Sequence, residues 1–149
     1  MLNVAVTTIR IPTYLRGNDD PSPPLTFSGK RRGRARPFPY PMQDDIDIAT
    51  MPFAPEYIHR AVILNNGILE VIILPDMNGR IYSVRNLRDG RELFYRNNVV
   101  KPALVALRGA WISGGIEFNF PTRGHTVSTV SPVFFSTEEG VDSVSVTVG

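Results

Sequence analysis

Apolar and polar positions alternate over short runs in this chain, and turn residues separate the runs. Residues 143–148 read SVSVTV, a two-residue period that gives an extended strand one apolar and one polar face. Residues 80–85 alternate too, with Ile81, Ser83 and Arg85 on one face and Tyr82 and Val84 on the other. Residues 4–9 are β-branched and Thr-rich, stop at Pro12, and predict a short strand at a sheet edge. Residues 61–64 are apolar and run into Asn65-Asn66-Gly67, which predicts a tight hairpin completed by residues 68–74. Pro75-Asp76-Met77-Asn78-Gly79 and Asp89-Gly90 predict further turns, and residues 92–95 and 126–135 further strands, with Pro132 near a bend or edge. Residues 99–110 allow one helical turn, but Pro102 and Gly109 oppose a long helix. No 3.6-residue apolar period persists. Strands and turns at a spacing of about 10 residues predict an all-β fold, an antiparallel β-sandwich or barrel.

Residues 13–50 break this pattern. They contain Pro21, Pro23, Pro24, Pro37, Pro39 and Pro41, so neither a helix nor a central strand is expected to run through them. This long Pro-rich arm is expected to be irregular, with Phe38-Pro39-Tyr40-Pro41 packed against something. Residues 60–149 are the sheet-forming part.

At 149 residues the chain has the size of one domain. Hydrophobic residues make up 42% and charged residues 20%, a globular balance. The absence of cysteine excludes a disulfide scaffold and thiolate metal ligands. No metal and no cofactor is expected. The net charge of +2 is too small to dictate a partner, and the basic residues Lys30, Arg31, Arg32, Arg34 and Arg36 form one cluster on the arm. A nucleic-acid contact through residues 30–36 is the third function considered, but no nucleic-acid-binding signature accompanies the cluster, and a solvated loop is the default. No secretory signal and no apolar stretch of about 20 residues is visible, so a soluble, cytoplasmic protein without membrane contact is expected.

The chemistry concentrates in WISGGIEFNFPTRGH, residues 111–125. Strand alternation puts Ile116, Phe118 and Phe120 on a face suited to a core, and Glu117 and Asn119 on the other, suited to solvent or a pocket. Gly114-Gly115 removes bulk beside that polar face, so a ligand could approach the backbone. His125 follows the turn Pro121-Thr122-Arg123-Gly124. A four-residue loop puts it on the phenylalanine face, a three-residue loop on the face of Glu117 and Asn119, and the sequence leaves both open. A histidine beside a carboxylate can do acid–base work near neutral pH. The plainer alternative is that Glu117 pairs with an arginine and His125 ends a turn. Trp111 is a candidate sugar-stacking platform or a core residue, and Arg80 a ligand-binding fork or an ion-pair partner. Arg108 joins the ligand-binding candidates. His59, without a visible partner, is read as structural.

The segments FPYPMQDD, LPDMNGRIYSVRNLRDGRELFYRN, KPALVALRGAWISGGIEFNFPTRGHTVSTVSPV and SVSVTVG together resemble a bacterial domain of unknown function, often found N-terminal to tetratricopeptide repeats. That domain in turn resembles the galactose mutarotase-like superfamily of large antiparallel β-sandwiches, which bind carbohydrates. Gly79-Arg80-Ile81 is similar to their early GGRI-type turn, with Asn78 in place of the usual first glycine. Gly114-Gly115-Ile116 with Pro121 is similar to their GG…P segment, and His125 falls where a histidine commonly follows. The resemblance implies that His125 protonates a sugar ring oxygen. The glutamate that removes the anomeric proton lies late in that family's chain, so Glu117 stands in by proximity alone.

The expectation is therefore the N-terminal portion of a mutarotase-like β-sandwich, continued beyond residue 149. His125 and Glu117 are the catalytic candidates, with Asn119, Arg80, Trp111 and Arg108 as ligand contacts. The intact protein is read as a sugar epimerase or glycoside-active enzyme, with the fragment inactive. The alternative is a non-catalytic binding or scaffolding module attached to repeats. The expected partners are a carbohydrate and either the missing half of the domain or a second copy.

Overall fold

The structure, a computed structural model, describes residues 2–15, 26–28, 35–37, 50–104, 110–118 and 127–149. Within them the chain is all-β, and its sheets are antiparallel, as the alternation predicts. A four-stranded sheet has the order β1 (Asn3–Arg10), β6 (Ile58–Asn65), β7 (Leu69–Leu74), β8 (Arg80–Asn86). Between β1 and β6 lie β2 (Thr13–Tyr14), which pairs with β5 (Phe53–Ala54), and β3 (Thr26–Ser28), which pairs with β4 (Ala35–Pro37). After β8 come β9 (Ala103–Leu104) paired with β10 (Ala110–Trp111), and the hairpin of β11 (Phe135–Glu139) and β12 (Val144–Val148).

The strong patterns produce the expected elements. β1 is an edge strand that ends before Pro12. The β6–β7 hairpin turns at Gly67, φ 80°, and Asn65 and Asn66 tighten it by accepting backbone N–H bonds from Gly67, Ile68 and Leu69. The hairpin β11–β12 leans on β1 and β6.

Both faces of the four-stranded sheet are covered, as a sandwich requires. On one face Ala61 and Leu74 are fully buried and join Ile11, Met77, Val100 and Ile112 in the main core. Burying one such leucine contributes about 1.5–3 kcal/mol. On the other face Val62, Ile73 and Val84 are buried. There Val144 of β12 shares a cavity with Leu64 and Val71, and Val148 packs on Gly79.

Four weaker expectations fail. The arm is not wholly irregular, because β2, β3 and β4 form short pairs, and the pair β3–β4 accommodates Pro37 because it has no central strand. Residues 92–95 make only a bridge between Arg85 and Glu92, since the outer edge of β8 is shared with residues 114–118, which bridge Ile81 through Ile116. Val127–Val130 is a 3-10 turn, and the strand starts only at Phe135. Strict alternation on β8 also breaks. Ile73 pairs with Ile81 while Ile72 pairs with Ser83, so Tyr82 is the extra residue of a bulge. Of the ambiguous stretch 99–110, Val100 bridges Thr13 and β9 pairs with β10, while residues 105–109 lie outside the described residues. Among the described residues no helix is long and apolar enough to cross a membrane.

Candidate functional site

The site grows from the turn that leads into β8. Pro75–Met77 makes one 3-10 turn, Asn78 follows in the left-handed region (φ 57°, ψ 33°), and Gly79 follows at φ 66°. Asparagine tolerates that region better than most residues, which suits it to this position in the turn. It also adds a side chain, whose Nδ2 donates to the Phe118 carbonyl at 2.8 Å, while the Asn78 amide donates to the Ser131 carbonyl at 2.9 Å. The turn thus binds both the 114–118 segment and the approach to β11.

Arg80, the first residue of β8, is 3% exposed. Its Nη2 donates to Glu117 Oε2 at 2.9 Å, and its Nη1 donates to the Gly114 carbonyl. The Glu117 side chain is 12% exposed, so this ion pair is largely withdrawn from water. Burial pulls the Arg80 guanidinium below its usual value, and the Glu117 charge and hydrogen bond oppose that pull. The Arg80 Nε is buried and has no hydrogen-bond partner among the described residues.

Gly114 and Gly115 carry the approach of the two segments. Both have positive φ, 88° and 68°. A Cβ on Gly115 would sit 2.2 Å from the Ile81 carbonyl oxygen, closer than any side chain permits. Without that bulk, the Gly115 amide donates to the Tyr95 carbonyl at 2.8 Å, and Ile116 exchanges backbone bonds with Ile81 at 2.9 and 3.2 Å. The glycines therefore close a backbone junction around Arg80 and Glu117.

Strand alternation misjudged one side of this segment. Phe118, assigned to the core face, is 44% exposed and walls an apolar cavity of about 240 Å³ with Asn78, Val133 and Val148. Glu117 is the less exposed of the two, half-buried with its carboxylate against Arg80. Trp111 stands on β10 opposite Ala103, half-buried, with the 127–130 turn against its strand. Asn119, His125 and Arg108 lie outside the described residues, as do the basic loop 30–34 and the Phe38–Tyr40 run.

The chain also builds features that strand patterns did not reveal. His59, fully buried, pairs its Nε2 with Thr13 Oγ1 at 2.7 Å across 46 positions of sequence. The Ser83 hydroxyl donates to the Glu92 carboxylate, and Arg96 meets the same carboxylate at 3.1 Å. Only the parity of His59 with buried Ala61 on β6 hinted at the first contact.

Residues 36–149, most of the chain, match the family described as Domain of unknown function (DUF5107). The chain belongs to this family. The fold of this DUF5107 chain is similar to part of a crystal structure of a TPR-domain containing protein from Parabacteroides distasonis, with a TM-score of 0.72 at 20% identity. The likeness covers 99% of the DUF5107 chain and 24% of that protein, so the chain spans about a quarter of its length. Kinship with a domain of unknown function and likeness to a TPR protein agree with the first of the two resemblances read from the sequence, the one to a domain of unknown function linked to tetratricopeptide repeats.

Proposed function

We propose that this DUF5107 domain binds a carbohydrate at the Arg80–Glu117 junction. The observation that carries the reading is an ion pair largely withdrawn from water beside exposed aromatic side chains. An arginine has five N–H donors and a carboxylate about four acceptor positions. The bonds to Glu117 and Gly114 use two of those donors. The pair as a whole is neutral, so it repels neither a cation nor an anion strongly, and its directional groups suit uncharged hydroxyls. Tyr95, bonded through its carbonyl to Gly115, is 69% exposed, and Phe118 is 44% exposed. Aromatic rings of this kind can cover the C–H face of a pyranose.

The resemblance to mutarotase-like proteins extends this reading. Glu117 and His125 act as the acid–base pair of the intact protein, and Asn119, Trp111 and Arg108 add ligand contacts. The intact protein is then an epimerase or a glycoside-active enzyme. Calorimetry with a panel of neutral monosaccharides tests the site. Binding is expected to weaken by about tenfold or more in Glu117→Gln, the loss of one charge-assisted hydrogen bond. Equal affinity in wild type, Glu117→Gln and His125→Ala removes the site from consideration. Polarimetry on freshly dissolved α-glucose or α-galactose with the full-length protein tests the chemistry, and a rate equal to buffer counts against epimerisation.

A second reading rests on the fold neighbour, which is a TPR-domain containing protein. The domain is then a scaffolding module that packs on another part of the same protein or on a second copy. Phe134 at 90% and Val141 at 96% exposure are the apolar residues most in need of cover. Sedimentation of residues 1–149 distinguishes the readings. Self-association supports the module, and a monodisperse monomer that melts cooperatively speaks against it.

A further inference from the structure

The second buried polar atom without a partner among the described residues is His59 Nδ1. The tautomer of His59 follows from its neighbour. Thr13 Oγ1 carries one proton and donates it to the Ile11 carbonyl at 2.8 Å. Oγ1 can then only accept from the imidazole, so the His59 Nε2 donates to it at 2.7 Å. A neutral ring with its proton on Nε2 presents a bare lone pair at Nδ1. Burial holds His59 below the ordinary histidine value, against the opposing charge of Asp76, and keeps that lone pair free of a proton. A buried acceptor left unpaired costs about 1–3 kcal/mol, so a donor belongs at this atom.

His59 forms part of the wall of a cavity of about 230 Å³, together with Thr13, Tyr14, Tyr57, Asp76 and Pro132. The cavity is several times the roughly 30 Å³ share of one water molecule. It is smaller than the roughly 300–1,000 Å³ of pockets that enclose drug-sized ligands. That leaves room for a single small ring. The walls fit one. Tyr57 stands edge-on to His59 with ring centroids 4.8 Å apart, and Tyr14 is fixed between Phe53, at 4.8 Å, and the Lys101 ammonium, at 4.8 Å from its centroid.

Charge selects the ligand further. Asp76 already receives the Arg60 amide at 2.8 Å and the Arg60 guanidinium at 2.7 and 2.6 Å. A cationic ligand would compete with Arg60 for it, and an anionic one would face its carboxylate. The geometry points to a second binding site, at the foot of β6 and separate from the Arg80–Glu117 junction, for an uncharged hydroxylated ring of pyranose size. One ligand hydroxyl donates to His59 Nδ1, and the ring lies against Tyr57 and Pro132. This site stands whether or not the Arg80–Glu117 junction binds sugar.

Long-range nitrogen–proton NMR of the imidazole on the 149-residue chain tests it, with methyl α-glucopyranoside, methyl β-galactopyranoside and myo-inositol as probes. At least one probe is expected to move the His59 Nδ1 resonance saturably toward that of a hydrogen-bonded acceptor. Tyr57→Ala, at a residue already 38% exposed, is expected to weaken that probe about fivefold, the worth of one aromatic contact. Glu117→Gln is expected to leave it unchanged. A resonance that is already hydrogen-bonded without probe and does not move identifies a resident water and overturns the proposal. So does the absence of any saturable shift, or a shift lost in Glu117→Gln but kept in Tyr57→Ala.

Discussion

The two ends of β8 each carry an arginine paired with a glutamate, yet their surroundings differ. Arg80 opens the strand 3% exposed, and its guanidinium ties Glu117 and Gly114 into a backbone junction. Arg85, five positions on, meets Glu70 across the β7–β8 ladder at 2.8 Å, with 44% of its side chain in water. Opposite charges at similar distance therefore carry very different weight. In the first pair the Arg80 guanidinium has little water to replace Glu117, so losing the carboxylate strands the arginine charge. In the exposed pair water replaces whichever partner is removed.

The sharpest way to break this comparison is to prevent the junction from closing. Gly115→Ala forces a Cβ against the Ile81 carbonyl at a left-handed φ, and is expected to cost about 4 kcal/mol or more, read as the denaturation midpoint. A loss below about 1 kcal/mol would mean that the junction does not constrain the backbone. Arg80→Ala follows at about 3–5 kcal/mol, because it removes a buried guanidinium together with its bonds to Glu117 and Gly114. The double variant Arg80→Met with Glu117→Leu recovers most of that stability but abolishes sugar binding, which separates the structural role of the pair from its proposed one.

The next effect depends on pH and belongs to His59. Its folded-state value is depressed by burial, so below the ordinary value of 6.5 the unfolded chain takes up a proton that the folded chain resists. Stability is thus complete above that pH and declines as pH falls toward the folded value. Thermal melts between about pH 7.5 and about pH 5.5 are expected to show the decline, and His59→Gln to flatten it. An equal slope in both proteins assigns the dependence to other groups. Smallest is Arg85→Ala, expected within about 1 kcal/mol and reduced further by salt. A cost comparable to that of Arg80→Ala would erase the contrast between the two ends of the strand.

Much of the framework was legible because its signals are local. The period of SVSVTV, the Asn-Gly turn after β6 and the proline after β1 each act within a few residues. Their elements appear at β12, the β6–β7 hairpin and β1. Legibility was lost where a segment answers to distant neighbours. Residues 92–95 have strand composition, yet they leave the sheet because residues 114–118 claim the other half of the β8 edge. Phe118 has the parity of a core residue but is exposed, and Glu117, on the face suited to solvent or a pocket, is half-buried against Arg80, 37 positions earlier in the chain.

Of the candidate site, the sequence nominated Arg80 and Glu117 separately, and only the fold joined them. For His59 it gave no partner, since Thr13 is 46 positions away. By itself the sequence determined strand type, most turns and the all-β class, because backbone sterics and alternation operate between adjacent residues. The tertiary structure decided which charges are buried, which glycines permit contact and which polar atoms are left without a partner. Desolvation and pairing depend on what surrounds a group in space, and no local pattern encodes that.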